Sequence, residues 1–414
     1  MDIVGQLKTA NSVTSFARAL TTHGKSQIIS SIADQIENVA EEILLINSDE
    51  VLLAKAGGLD ESQCDRLTLT PDRIRSMVAA TRSVSNLEDP IGEVLETWTQ
   101  SSGITISKIR VPIGVVAVIY ENRPNVTLDS AVISIMSGNV CVLRGSSGAR
   151  ATNKAIVQAI HAALKREGAP TELVTFIDDP TREGALSIMQ ARGLVDVLIP
   201  RGGPSLIKAI EDNATVPTII DGSGNCHVYV DRDADLDIAE KIVVNSKTQR
   251  TSVCNSAESL VVHSSVAKEF VPRIVKALNL KGVEIVGDQS SVDLADGKVS
   301  LAGEGEFAEE FLGLKISIAV TDSISDAIDW VNKYSTGHTE SIVTDNPESA
   351  EAFMAGVTSA VVMQNTSTRF TDGERFGFGA EIGISTQKLH ARGPMALKEL
   401  TTYQYRVSSE GAIV

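Results

Sequence analysis

Neither of the two common phosphate-binding fingerprints, GxGxxG or GxxxxGK[ST], occurs in this chain. A nucleotide, if one binds, is held by a different loop chemistry. Cysteine is scarce: Cys64, Cys141, Cys226 and Cys254 are scattered and form no CxxC pair, which argues against a zinc knuckle and against a disulfide framework. The six histidines show no HExxH and no paired ligand spacing, so no metal is expected. No apolar run approaches the roughly 20 residues that span a bilayer, and the opening Met-Asp-Ile-Val-Gly-Gln lacks the basic and apolar regions of a secretory signal. Positive charge is short as well. With 37 Lys and Arg against 53 Asp and Glu, the formal charge is −16, which argues against nucleic acid and anionic membrane surfaces as partners. A locally basic pocket for a small anion stays open. These absences leave a cytoplasmic protein acting on small molecules.

What is present fits an α/β enzyme. The chain has 414 residues, 43% of them hydrophobic but only 4% aromatic, with 31 glycines; that length suits two or three domains. Residues 5–56 carry Ile28, Ile29, Ile32, Ile36, Val39, Ile43 and Leu44 at helical spacing. Thr70-Pro71 reads as an N-cap followed by Pro in the first turn. Residues 91–109 form two alternating runs around a Gly turn, a hairpin signal. Short apolar runs at 114–119, 139–143, 174–177, 195–199, 218–220 and 227–230 alternate with helical stretches such as 151–166, as buried parallel strands do. A second set runs through 260–262, 317–320 and 341–343, with a domain boundary near residue 228. The tail beyond Pro394 ends in β-type alternation and needs a partner, for which the hairpin is the candidate, within the chain or across a subunit interface.

Six segments carry candidate chemistry. In Gln249-Arg-Thr-Ser-Val-Cys254, a cysteine sits in a polar run before an apolar strand, with Lys247 and Arg250 close by; a nucleophilic thiolate needs partial exposure and nearby positive charge. Asn122, in Tyr120-Glu-Asn-Arg-Pro124, follows a buried strand at its carboxyl end, where α/β proteins place ligand groups, and its amide can donate to a developing oxyanion. Arg144-Gly145-Ser146-Ser147 and Arg201-Gly202-Gly203 each lie between a strand and a helix and suit phosphate groups. The first of these loops contains no acidic residue, which leaves room for the 2′-phosphate of NADP. Asp221 is a candidate carboxylate base, and His227 a weaker candidate. The Arg369–Ser385 segment, rich in glycine and in both charges, suits a zwitterionic substrate.

Together these segments resemble the aldehyde dehydrogenase superfamily, and within it the γ-glutamyl phosphate reductases of proline biosynthesis. The resemblance covers essentially the whole chain. It rests on Val111-Pro-Ile-Gly-Val-Val-Ala-Val-Ile-Tyr-Glu-Asn-Arg-Pro-Asn-Val, Ile199-Pro-Arg-Gly-Gly, Lys247-Thr-Gln-Arg-Thr-Ser-Val-Cys-Asn-Ser-Ala-Glu and Gly377-Phe-Gly-Ala-Glu-Ile-Gly-Ile-Ser, in that order. It implies an aldehyde dehydrogenase-like α/β fold: two α/β domains with parallel sheets and a small β oligomerisation element. The implied domains are a cofactor-binding domain at 1–98 and 117–228, a catalytic domain at 229–393, and an oligomerisation hairpin and tail at 99–116 and 394–414. The resemblance also implies NADPH-dependent reduction of L-glutamyl 5-phosphate through a thioester on Cys254, with Asn122 in the oxyanion hole. Arg144 falls where the wider superfamily has a lysine contacting the cofactor ribose, Arg201-Gly202-Gly203 over the pyrophosphate, and Glu310 on the nicotinamide ribose. Asp221 replaces the glutamate base of hydrolytic members. Glu381 is the candidate for the substrate ammonium, and Arg123 or Arg392 for its anionic groups. A homo-oligomer, dimer or tetramer, is expected, as is a separate glutamate 5-kinase to supply the acyl phosphate. Another phosphorylating or CoA-acylating aldehyde dehydrogenase would share Cys254 and Asn122.

Overall fold

A computed structural model describes residues 2–414. The chain forms two compact units: residues 1–220, 377–383 and 395–414 make the first, and 221–376 with 384–394 the second. The division falls at Ile220/Asp221 and not near residue 228. The reason is strand Cys226–Val230, which hydrogen-bonds to Ala257–His263 and Thr339–Val343 and so belongs to the second sheet. No helix of the described residues is long and apolar enough to cross a membrane.

The first unit is built on a four-stranded parallel sheet in the order Val174–Phe176, Val140–Gly145, Val115–Tyr120, Val197–Arg201. Its two central strands are buried at every position, which is why they read as continuous apolar runs. Helix Pro124–Met136 lies against it, apolar nearly all round and buried at 11 positions. Helices Thr22–Asn38 and Pro71–Ser85 pack outside that layer. Ile28, Ile29, Ile32 and Ile36 are the buried stripe of the former, as their spacing requires. Thr70 caps the latter, its hydroxyl accepting from the Arg73 N–H at 3.2 Å, with Pro71 in the first turn. Lys25, which the stripe leaves facing inward, is neutralised by Asp89 at 2.8 Å.

Residues 218–220, read as a strand from their apolar run, make only one bridge, Thr218 to Leu198. The Leu198 N–H donates to the Pro217 carbonyl at 2.9 Å and the Ile219 N–H to the Leu198 carbonyl at 3.0 Å. Pro200 of the facing strand has no N–H for the next ladder bond, so the segment touches the edge of Val197–Arg201 without extending the sheet. The hairpin forms from Val94–Thr99 and Thr105–Pro112, and the tail strand Thr401–Ser408 pairs antiparallel with the latter, within the chain. One face of this three-stranded sheet shows Trp98 and Tyr405 edge to face at 6.2 Å, and Lys108 stands 4.2 Å from the Tyr403 ring.

The second unit is a seven-stranded parallel sheet in the order Ser300–Leu301, Glu284–Gly287, Lys315–Thr321, Ala257–His263, Cys226–Val230, Thr339–Val343, Val361–Gln364. Val228, Val230, Leu260, Val262, Ile316 and Ile318 form one core with Phe270, Ile274 and Leu278 of helix Ser264–Asn279.

Candidate active site

In the first unit the candidate groups gather at the carboxyl edge of the parallel sheet. Asn122 follows strand Val115–Tyr120 in a left-handed conformation, φ 45°. Asn is one of the few residues that adopt that region readily. Its Oδ1 accepts from the Ser146 hydroxyl at 3.0 Å, while its own N–H donates to the same oxygen at 3.1 Å. Those bonds fix the amide and turn its NH2 into the donating end. Ser146, expected at a cofactor phosphate, thus positions the oxyanion candidate. Gly145 ends the neighbouring strand with no space for a side chain, since a Cβ would meet Asn153 Nδ2 at 2.2 Å. Ser147 opens the turn Ser147–Ala149, exposed at Ser147 and Gly148 and buried at Ala149.

Arg144 is buried, and its guanidinium donates to the carbonyls of Asp179, Pro180 and Thr181 at 3.2, 2.8 and 2.9 Å. It fastens the 179–181 loop, a task invisible in sequence because the partners lie 35 to 37 residues away. The start of helix Arg150–Arg166 is also taken: the Glu50 carboxylate accepts from the N–H groups of Ala151 and Thr152 at 2.7 and 3.0 Å.

On the other side of the central strand, Gly202 and Gly203 lead into helix Pro204–Asn213. Glu121, not singled out from sequence, reaches this loop and accepts from the Gly203 N–H at 2.9 Å. A Cβ on Gly202 would stand 2.5 Å from the same carboxylate. Arg201 packs on Gly383, where a Cβ would meet its Nη1 at 2.8 Å. The 377–383 segment, with Glu381, belongs to the first unit, as does Arg123 at the start of helix Pro124–Met136.

Asp129, half-buried on that helix, accepts from Asn125 Nδ2 at 3.0 Å. Burial pushes its carboxyl up to about 6, although Asn125 and the charge of Arg201 pull the other way. A folded-state value above the unfolded one favours the folded protein below about pH 4, and that contribution is lost as pH rises through about 6. Asp129→Asn is therefore expected to match the parent in thermal stability at pH 4 and to exceed it at pH 8. Melting curves across that range test it; parallel curves would rule it out.

In the second unit the candidate groups gather at the amino edge of the sheet. Cys254 ends the loop from helix Leu236–Thr248 to strand Ala257–His263. Of the four cysteines it alone is not buried. Burial pushes the Cys141 thiol up to about 12 and drives Cys226 well above the ordinary thiol range, so neither offers a thiolate at neutral pH. The loop is seated by contacts that the sequence did not reveal. Gly224 lies so close that a Cβ there would fall 1.5 Å from the Cys254 carbonyl oxygen and 2.7 Å from its Cα. The Cys226 thiol donates to that carbonyl at 3.2 Å. Glu310 Oε1 accepts from the Gly224 N–H at 2.8 Å, so the residue expected at the cofactor ribose also holds this turn. Asn225 secures the far side through the carbonyls of Phe307 and Tyr334, both at 2.8 Å.

Behind the loop, buried Lys247 is ion-paired to buried Glu258. The Lys247 charge is thus engaged by a buried carboxylate. His227 is likewise structural: its N–H and Nδ1 both meet Glu340 Oε2, at 2.7 and 3.0 Å. Asp221 Oδ1 accepts from the Ile384 N–H at 2.8 Å. Arg392 is exposed and donates to the Thr358 carbonyl.

The aldehyde dehydrogenase family profile matches residues 2–294. A γ-glutamyl phosphate reductase from Thermobifida fusca is 48% identical over 394 residues, covering 95% of this chain and 94% of that protein. The chain belongs to the aldehyde dehydrogenase family, in its γ-glutamyl phosphate reductase branch. The crystal structure of γ-glutamyl phosphate reductase from Thermotoga maritima superposes with a TM-score of 0.95 at 43% identity, covering 100% of both chains. An acetylating aldehyde dehydrogenase from Geobacillus thermoglucosidasius shares the family fold alone, with a TM-score of 0.72 at 17% identity over 100% of this chain and 97% of that one.

Proposed function

We propose that this protein reduces L-glutamyl 5-phosphate to L-glutamate 5-semialdehyde with release of phosphate, in proline biosynthesis. The observation that carries the reading is the single part-exposed cysteine, Cys254, seated by Gly224 and Glu310, in a chain whose full-length relatives bear that enzyme's name.

The Cys254 thiolate attacks C5 of the acyl phosphate; the C–S bond forms, the bond from C5 to the phosphate oxygen breaks, and a thioester remains. The Asn122 amide, its orientation fixed by Ser146, and the Cys254 N–H donate to the oxyanion, each such donor being worth about 3 kcal/mol of barrier. Asp221 spends one carboxylate oxygen on Ile384, which supports a structural duty over that of a hydrolytic base.

The first unit suits a nicotinamide dinucleotide. The Gly203 N–H already donates to an anionic oxygen, that of Glu121, at the start of a helix, and helix N-termini favour negative charge. Ser147, Arg201, Gly202, Gly203 and Glu310 would hold the cofactor. Bound there, NADPH supplies the hydride that reduces the thioester. The phosphorylated cofactor is favoured because Arg150 and Lys154, half exposed, flank the 144–149 loop; both are tethered at Asp178, at 2.5 and 3.7 Å. For the glutamyl moiety, Glu381 is assigned to the ammonium and Arg123, at the start of helix Pro124–Met136, to the carboxylate. The released semialdehyde cyclises unaided, because a five-membered ring closes at high effective concentration. A homo-oligomer built on the exposed aromatic face of the three-stranded sheet completes the proposal, with the acyl phosphate supplied by a separate kinase.

The test is the reverse reaction: glutamate 5-semialdehyde, NADP and phosphate with the purified protein. NADPH formation that requires phosphate is the expected result. Formation without phosphate would make the protein a hydrolytic dehydrogenase, and no formation by a folded protein would overturn the assignment.

A further inference from the structure

Arg369 lies in the short turn Thr368–Phe370 and is only 6% exposed. A guanidinium buried to that degree ordinarily has a carboxylate partner. Its hydrogen bond goes instead to a neutral amide: Nε donates to Gln249 Oε1 at 2.9 Å. The acid nearest in sequence, Asp372, is occupied with the N–H groups of Glu374 and Arg375 at 3.1 and 3.3 Å.

The turn is bolted to the cysteine loop. The Thr368 hydroxyl donates to the Asn255 carbonyl at 2.7 Å, and Asn255 Nδ2 donates to the Thr371 carbonyl at 2.6 Å. Asn255 directly follows Cys254, so the position of Arg369 is registered to the nucleophile. Burial lowers Arg369 from the usual guanidinium value; Arg375 and Arg250 act in the same direction, and the charges of Asp372 and the Cys254 thiol oppose them. Arg369 therefore lies in the field of two further arginines, one carboxylate and the thiol, but hydrogen-bonds to the neutral Gln249 amide. Arg375, exposed, stands with its guanidinium carbon 5.8 Å from the Phe370 ring.

We propose that Arg369, assisted by Arg375, forms the subsite for the phosphate group that leaves when Cys254 attacks. This rests on the acyl-phosphate reaction proposed above. As the C–S bond forms, the electron pair of the breaking C–O bond goes to the phosphate oxygen, which then takes a proton from solvent. Negative charge thus moves from the thiol to the leaving group, and a buried guanidinium fork offers two parallel hydrogen bonds to it. A water-excluded cation acts more strongly there than one in solvent. In the reverse direction the same group captures inorganic phosphate next to the thioester.

The experiment measures NADP reduction with glutamate 5-semialdehyde while phosphate is varied, for the parent, Arg375→Gln, Arg369→Lys and Arg369→Gln. The KM for phosphate is expected to rise about tenfold in Arg375→Gln and further in Arg369→Gln, the loss of one charged hydrogen bond corresponding to at least that factor. The KM for semialdehyde stays at the parent value, and Arg369→Lys falls between the parent and Arg369→Gln. A readout without turnover accompanies it: phosphate slows iodoacetamide alkylation of Cys254 in the parent and does so more weakly in the glutamine variants. An unchanged phosphate KM with full protection in Arg375→Gln and Arg369→Gln overturns the subsite while leaving the reaction intact. A parent enzyme that needs no phosphate overturns the reaction itself. Should Arg369→Gln fail to fold, Arg375→Gln, altered at an exposed side chain, decides alone.

Discussion

Cys254→Ala is expected to lower turnover by a factor on the order of ten thousand or more, as removal of a covalent nucleophile does in enzymes that depend on one, while a nicotinamide cofactor still binds. The expectation follows from the contrast among the four thiols. Cys141 and Cys226 are held protonated by burial, and Cys64 is buried on a helix of the first unit. None of them can substitute. Fluorescence titration with NADPH and steady-state assay of the same preparation separate the two effects. Loss of cofactor binding together with activity would mean that the alanine had disturbed the fold, and turnover within a hundredfold of the parent would exclude a covalent mechanism.

The second large effect is expected at a residue that does no chemistry. Gly224→Ala places a methyl group 1.5 Å from the Cys254 carbonyl oxygen, a distance no relaxation of the alanine itself can relieve. The cysteine loop must shift, or the 224–225 turn must, and the latter is held by Glu310, Phe307 and Tyr334. Overpacking of this kind typically costs 1–3 kcal/mol, and backbone against backbone belongs at the upper end, about 3 kcal/mol. A reacting group displaced by about 1 Å loses on the order of a hundredfold in rate. The variant is therefore expected to melt earlier and to retain at most a few per cent of kcat/KM. Differential scanning fluorimetry with kinetics checks both; parent-like rates would show that the close contact is dispensable. Gly305→Ala, where a Cβ would meet nothing within 4 Å, is the control.

Sequence patterns disclosed what local chemistry determines. The Thr70-Pro71 helix start, the isoleucine stripe of Thr22–Asn38 and the central strands of both sheets rest on periodicity and capping, which act within a few residues. The cysteine loop was legible for a similar reason, through its polar run before an apolar strand. What escaped depends on partners distant along the chain. Arg144 is the same residue whether it faces a phosphate or ties down three carbonyls, and only the fold decides. Gly224 looked like a spacer, because close backbone approach leaves no mark beyond the glycine itself. Glu121 stood between two residues of greater apparent interest, and its contact with Gly203 spans 82 positions. The 218–220 run had the composition of a strand, but Pro200 on the facing strand has no N–H to continue the ladder.

The pairing of Thr401–Ser408 with Thr105–Pro112 also has a consequence for biosynthesis. A ribosome must add about 290 residues after the first strand before its partner exists, which at 5–20 residues per second takes on the order of 15 to 60 seconds. Through that interval one edge of Thr105–Pro112 is open to any nascent neighbour. The second unit, by contrast, is largely one uninterrupted stretch from Asp221 to Phe376 and can collapse while the first still waits for its closing strand. Assembly of this chain thus finishes at its beginning, and the slow step to watch in refolding is the docking of the last strand.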